Sequence, residues 1–127
     1  MKIRNEYTCP LELVHDIIKG KWKTIIIFQL WDGKCSFTNL KRGIVGISQK
    51  MLLEQLRELK YFKLIDKKVY KGFPLKVEYF LTKRGRKMLS AIMIMQELGI
   101  EYMVEYGMTE FLDKKGFLIK TFIQKSK

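Results

Sequence analysis

At 127 residues the chain is long enough to bury one hydrophobic core but not two. Hydrophobic residues make up 47%, which excludes a charged disordered tail. Lys and Arg total 25 against 13 Asp and Glu, a formal net charge of +12 that favours a polyanionic partner, nucleic acid above all.

The excess charge is not spread evenly. Between Lys34 and Lys76 there are 11 basic residues against Glu54, Glu58 and Asp66, so one third of the chain carries +8, as a phosphate-binding face requires. The opening segment, MKIRNEYTCP, is polar and lacks the apolar stretch of a secretory signal. No apolar run reaches the ~18 residues of a membrane span. Two cysteines, Cys9 and Cys35, are too few for a disulfide scaffold, so a cytoplasmic protein is expected.

Residues 1–8 form an arm. A helix is predicted from Cys9-Pro10 through Lys19, with Leu11, Val14, Ile17 and Ile18 at helical spacing and Gly20 ending it. A second helix, about Trp22 to Trp31, is apolar nearly all round (Ile25, Ile26, Ile27, Phe28, Leu30) and is expected to be central and buried. After the Asp32-Gly33 turn, Ser36 caps a short third helix with Phe37 and Leu40 inward. Gly43 to Gly46 is the next break. Ser48 then caps a fourth helix to about Tyr61, with Met51, Leu52, Leu56 and Leu59 inward. Alternation over Ile65–Tyr70 and Val77–Leu81, joined by Lys71-Gly72-Phe73-Pro74, predicts a β-hairpin. Thr82 caps a long helix from about Lys83 to Tyr106, and a further helix is expected between Met108 and Lys127, with Gly116 as a weak point.

Two short helices across a Gly-containing turn, followed by a basic hairpin, compose a DNA-reading unit in which the second helix enters the major groove. The inward residues of the fourth helix leave Gln49, Lys50, Leu53, Glu54 and Arg57 outside. Gln49, Leu53 and Arg57 recur at i, i+4, i+8 and share one stripe. Gln can take adenine, Arg can take guanine, and an exposed Leu can touch a thymine methyl. The competing interpretation is an ordinary solvated helix face. Ser48 is first a helix cap, whose backbone N–H can also meet a phosphate. Lys67, Lys68, Lys71 and Lys76 line the hairpin and its loop, where they can contact phosphate or the minor groove, or simply solubilise an edge strand. Ser36, Thr38, Asn39, Lys41 and Arg42 on the third helix are weaker candidates for backbone contact.

These residues resemble a known family. Cys9-Pro10, Gly20-Lys21-Trp22, Phe37-Thr38-Asn39-Leu40, Gly46-Ile47-Ser48-Gln49-Lys50-Met51-Leu52 and Leu56-Arg57-Glu58-Leu59 look like the HxlR-type transcriptional regulators. The series continues through Tyr70, Pro74, Val77-Glu78-Tyr79, Leu81-Thr82 and Gly85, and spans about residues 9 to 99. The resemblance implies a winged-helix fold related to MarR-type regulators, DNA binding as a dimer, and signals often sensed through the N-terminal cysteine. The chain departs from the pattern at Lys19 and Lys63 (both usually Gly), at Leu53 (commonly Thr) and at Leu98 (commonly Trp). Lys63 must then adopt the left-handed conformation or end its helix differently. Leu53 alters the base-reading stripe, so no operator sequence carries over.

Cys9 begins a helix, where unpaired N–H groups favour a thiolate. It is either a redox or electrophile sensor or a small, partly buried apolar residue. Cys35 is expected in the Asp32–Ser36 turn as an incidental thiol. His15 is the single histidine, so no His-based metal site is available and neither metal nor cofactor is expected. No Gly-rich phosphate loop, nucleophile elbow or paired Cys–His appears, which argues against an enzyme. The long helix carries Leu89, Ile92, Met93, Met95, Leu98, Tyr102 and Met103, a surface wide enough for its own chain and a second subunit. The alternative cover is the C-terminal segment with Phe111, Leu112, Phe117, Leu118, Phe122 and Ile123.

The expected architecture is therefore α+β and mostly helical: a winged helix-turn-helix with N-terminal and long C-terminal dimerisation helices. It is read as a single domain over 1–127, with helices plus wing in 8–81 and dimerisation helices in 82–127. The expected function is a homodimeric, sequence-specific regulator on a double-stranded DNA operator, responding to an oxidant through Cys9 or to a small molecule, with no membrane role. The alternative is a winged-helix module for a protein partner or non-specific nucleic acid.

Overall fold

The computed structural model describes residues 2–117. Leu118, Phe122 and Ile123, named above as the alternative cover for the long helix, lie outside the described residues. The chain divides into two compact units, 1–89 and 90–127.

The first unit opens with the arm and α1 (Pro10–Ile18). Pro10 sits where a missing N–H costs nothing, and Glu12 reaches back to accept from the Thr8 N–H at 2.8 Å. The Arg4 guanidinium clamps the arm to this helix through Asp16 at 2.8 Å and Glu12 at 3.5 Å. No residue of α1 is fully buried, and Leu13, Val14, Ile17 and Ile18 are half-buried.

Next comes α2 (Lys23–Gln29), shorter than the sequence predicts. Ile26, Ile27 and Leu30 are fully buried, but Ile25 is exposed, and Lys23 is the buried charged residue of the unit. An all-round apolar helix is therefore corrected to a one-sided one. Lys23 tolerates burial because its ammonium pairs with the Glu58 carboxylate.

A two-residue strand, β1 (Cys35–Ser36), leads into α3 (Phe37–Gly43). α4 (Gln49–Tyr61) follows, then β2 (Ile65–Tyr70), β3 (Lys76–Leu81) and α5 (Lys83–Glu105). The sheet is antiparallel with strand order β1-β3-β2. Cys35 opposes Tyr79 and Ser36 opposes Glu78, which corrects the expected turn at Cys35 to an edge strand. The core of this unit gathers Ile26, Ile27, Leu40, Leu52, Leu56, Leu59, Leu64, Ile65 and Leu81.

The C-terminus of α4 departs from the usual glycine ending. Lys63 adopts φ +62°, its N–H bonds the Lys60 carbonyl, and the Leu64 N–H bonds the Leu59 carbonyl, each at 3.0 Å. That is a complete Schellman closure, with Leu59 and Leu64 both buried beneath it. Directly after β3, the Thr82 hydroxyl accepts from the Gly85 N–H at 3.0 Å and so caps α5 as expected. Gly85 is required by close approach. A Cβ there would stand 1.9 Å from the Leu64 carbonyl oxygen.

In the second unit, α5 continues to Glu105 and turns at Gly107 into α6 (Thr109–Lys114). Gly107 (φ +79°) ends α5 with the same pair of bonds that Lys63 supports, from Gly107 to Val104 and from Met108 to Met103. Ile92, Ile100 and Leu112 are buried.

Candidate nucleic-acid interface

The turn between α3 and α4 is built by capping chemistry. Ser36 accepts from the Asn39 N–H at 3.2 Å and Ser48 accepts from the Met51 N–H at 3.1 Å, each satisfying a donor that the helix leaves open. Ile44 and Ile47 are buried in the connection, while Val45 between them is exposed. These anchors fix where α4 starts and hence which residues face outward. Ser36 is half-buried within β1 and uses its hydroxyl as a cap, which leaves it less available for a phosphate than expected.

On α4, Gln49, Lys50, Glu54 and Arg57 are exposed, and Leu53 is partly buried among them. The expectation of an exposed Leu53 is thus corrected. Its position beside Leu52 and Leu56, both at or near zero exposure, draws one flank of the side chain inward. All five residues line a single shallow groove. A second groove, lined by Phe37, Thr38, Lys41, Arg42 and Gln49, joins α3 to the start of α4. Gln49 belongs to both, so the candidates on the two helices form a continuous polar surface. Asn39 is exposed on α3 as well.

The hairpin arranges its lysines differently from a single row. Lys67 opposes Tyr79 and Lys68 opposes Glu78, and successive strand residues face opposite sides. Lys67 therefore shares its face with Val69, and Lys68 shares the other with Tyr70 and Lys76. The Lys68 and Lys76 ammonium groups lie 5.0 and 5.1 Å from the Tyr70 ring centroid. Hydrogen bonding to Glu78 raises the Tyr70 phenol above its ordinary range. Burial raises the Tyr79 phenol too, with the Arg57 charge opposing it. Lys71 is exposed in the loop.

The hairpin also carries an apolar tip, which charge alone does not reveal. Phe73 is fully exposed at 103%, Leu75 at 66% and Val69 at 49%. The signal was present as an aromatic residue in an otherwise polar turn, Lys71-Gly72-Phe73-Pro74.

Both cysteines are free: Cys9 is exposed at the N-cap of α1 and Cys35 is half-buried in β1. Burial, with lesser contributions from Glu78 and Asp32, pushes the Cys35 thiol up. His15 is exposed. Of the candidates for subunit contact, Met95, Leu98 and Tyr102 are about half exposed and Leu89 is partly buried. Ile92 is only 5% exposed, which corrects its assignment to an intermolecular face. Ile94, at 61%, extends the exposed apolar surface instead.

No helix among the described residues is long and apolar enough to cross a membrane. The family model for the HxlR-like helix-turn-helix matches residues 17–107. The helix-turn-helix-type transcriptional regulator YdeP of Bacillus subtilis (strain 168) is 45% identical over 94 residues, 74% of this chain and 73% of its own. A MarR-family transcriptional regulator from Porphyromonas gingivalis W83 superposes with a TM-score of 0.72 at 42% identity, covering 80% of this chain and 98% of the other. The reduced form of the redox regulator HypR gives 0.70 at 40% identity over 73% of this chain and 92% of its own. The winged fold, the helix-turn-helix and the match to regulators rather than enzymes converge on one assignment: this chain belongs to the HxlR-like helix-turn-helix family of transcriptional regulators.

Proposed function

We propose that this DNA-binding regulator acts as a homodimer on a two-part operator, each α4 entering a major groove and each hairpin flanking it. The observation that carries this reading is the exposed Gln49–Lys50–Glu54–Arg57 surface on α4, continuous through Gln49 with Thr38, Lys41 and Arg42 on α3. Its chemistry suits base edges: Arg57 for guanine, Gln49 for adenine, Glu54 for the cytosine amino group, and the outward flank of Leu53 for a thymine methyl. Lys50 and the backbone N–H groups after Ser48 serve the phosphates on either side.

Asn39, Thr38, Lys41 and Arg42 hold the backbone next to the groove, with Ser36 in a capping role. Lys67, Lys68, Lys71 and Lys76 add affinity without much sequence information. The exposed apolar positions Ile94, Met95, Leu98 and Tyr102 supply the dimer contact, with Leu89 at its edge, and a two-fold protein fits two half-sites. Cys9, exposed at a helix start, is the proposed oxidant-responsive position. That role is supported by the similarity to HypR, a redox regulator seen in reduced and oxidised forms, and to YodB from B. subtilis, seen reduced and diamide-treated.

Binding-site selection on random duplexes, repeated with oxidant, tests the whole reading. A preferred sequence with two related half-sites, bound less tightly as salt rises, is expected. Binding that is salt-sensitive yet shows no preferred sequence would overturn operator recognition and leave non-specific nucleic-acid binding. Oxidant sensitivity unchanged in a Cys9→Ser variant would remove Cys9 from the scheme.

A further inference from the structure

A second polar cavity lies away from the α3–α4 surface, on the side of the first unit where the arm crosses α1. It has a volume of about 640 Å³ and is lined by Lys2, Arg4, Asp16, Lys19, Lys23 and Glu58. Its size falls in the range of small-molecule sites, but its lining is charged rather than apolar. Four cations and two carboxylates line it, and Glu12 stands beside Arg4 just outside the lining.

The pairing within this wall is uneven. Arg4 is engaged by Asp16 and Glu12, and Lys23 by Glu58. Lys2 and Lys19 have no carboxylate partner among the described residues, although both border the cavity. The Lys23 side chain is 10% exposed, whereas its partner Glu58 is 41% exposed and reaches solvent. A buried ammonium whose counter-ion is half-exposed, beside two unpaired ammoniums, is a site for a small species with two negative charges.

We infer that this cavity binds a small dianion, of dicarboxylate or phosphate chemistry, held by Lys2, Lys19 and Lys23. Its two charges pair with Lys2 and Lys19, and its approach to Lys23 displaces Glu58. Glu58 lies on α4, one residue after Arg57, so occupancy of the cavity acts on the helix assigned to base reading. The regulatory half of this inference rests on that assignment; the binding half does not.

Calorimetric titration of the DNA-free full chain with succinate and, separately, inorganic phosphate, at constant ionic strength with a chloride control, tests the binding. Saturable binding of one dianion per chain is expected. The preferred probe, succinate or phosphate, identifies the chemistry. A Lys2→Ala/Lys19→Ala double variant should lose about tenfold or more in affinity, since two charge-assisted contacts vanish, while Lys87→Ala, exposed and outside both sites, should bind as the parent does. Glu58→Gln should bind the dianion more tightly, because the competing carboxylate is gone. No saturable heat from either probe, equal affinity in the double variant, or weaker binding by Glu58→Gln would overturn the site.

Fluorescence anisotropy on a selected duplex tests the coupling. The dianion should change operator affinity by about fivefold or more in the parent chain and not in the double variant. An equal change in both would mean simple ionic competition and overturn the coupling. Absence of any preferred duplex in dianion-free buffer would instead sink the base-reading assignment, and calorimetry would still decide the anion site.

Discussion

The Thr82 hydroxyl donates a 2.6 Å hydrogen bond to the Lys63 carbonyl, and so ties the end of α4 to the start of α5. The same oxygen accepts from the Gly85 N–H, while the Thr82 N–H donates to the Leu64 carbonyl at 3.2 Å. Thr82 thus closes the first turn of α5 with its hydroxyl and holds Lys63 and Leu64, just beyond α4, through its hydroxyl and its backbone N–H.

Replacing Thr82 by Val keeps the shape and removes both hydroxyl bonds. Stability should fall by about 1–2 kcal/mol in urea denaturation. Thr82→Ser should recover most of the loss, because the hydroxyl is retained. A Ser variant as unstable as the Val variant would assign the effect to packing of the methyl group.

Lys63 and Gly85 should respond in opposite directions. Lys63→Gly removes the strain of a side chain at φ +62°, and a net gain of up to about 1 kcal/mol is expected after the added flexibility of the unfolded chain is counted. Gly85→Ala drives a methyl into the Leu64 carbonyl oxygen and should cost about 3 kcal/mol or more. Thermal and urea unfolding measure both. A neutral Gly85→Ala would mean that α5 can shift outward without loss.

Within the proposed interface, Arg57→Ala and Lys71→Ala should have different signatures. Loss of Arg57 should lower affinity for a selected duplex by about 1–3 kcal/mol and relax preference at one base pair. Loss of Lys71 should weaken all duplexes alike and reduce the salt slope by about one. Phe73→Ala separates the two modes further. A loss confined to duplexes with flexible steps opposite the wing would identify the apolar tip as a minor-groove wedge. Uniform weakening would place it on the backbone.

The two thiols should be distinguishable by alkylation. Cys9 is exposed, whereas burial raises Cys35 above its ordinary range and so favours its neutral form. Iodoacetamide should therefore label Cys9 first near neutral pH, and Cys35 should follow only as pH rises beyond the ordinary thiol value. The linkage has a matching sign: a raised folded pKa gives stability that is present below the unfolded value and lost as pH climbs through the folded one. Mass spectrometry of timed samples measures the order. Labelling of Cys35 ahead of Cys9 would contradict it.

Much of this was legible because it depends on local chemistry. Ser36, Ser48 and Thr82 are hydroxyl caps whose partners lie three residues away, and the sequence spacing contains all the geometry they need. The strained ending at Lys63 was legible for the same reason, since the only alternatives were a left-handed residue or a different termination. Features set by distant neighbours were not. Strand β1 is two residues long and exists through its pairing with Tyr79 and Glu78, more than 40 positions later. Burial of Lys23 depends on Glu58 in another helix, and periodicity alone favoured Ile25. Ile92 and Leu98 share one helix, but helical spacing does not say which flank its own chain covers. The lysines of the hairpin were found by charge, and their division between two faces needed the strand register.

That division has a consequence for how the hairpin can vary. Lys67 and Lys68 point to opposite sides because the ladder pairs Lys67 with Tyr79 and Lys68 with Glu78. Lengthening the loop over 71–75 preserves this polarity and only moves the tip. Deleting one residue within Ile65–Tyr70 turns the strand residues on one side of the cut to the opposite face and breaks the match to β3. Related chains should therefore tolerate changes of length at the tip and resist them in the strands, even along the exposed run from Asp66 to Val69.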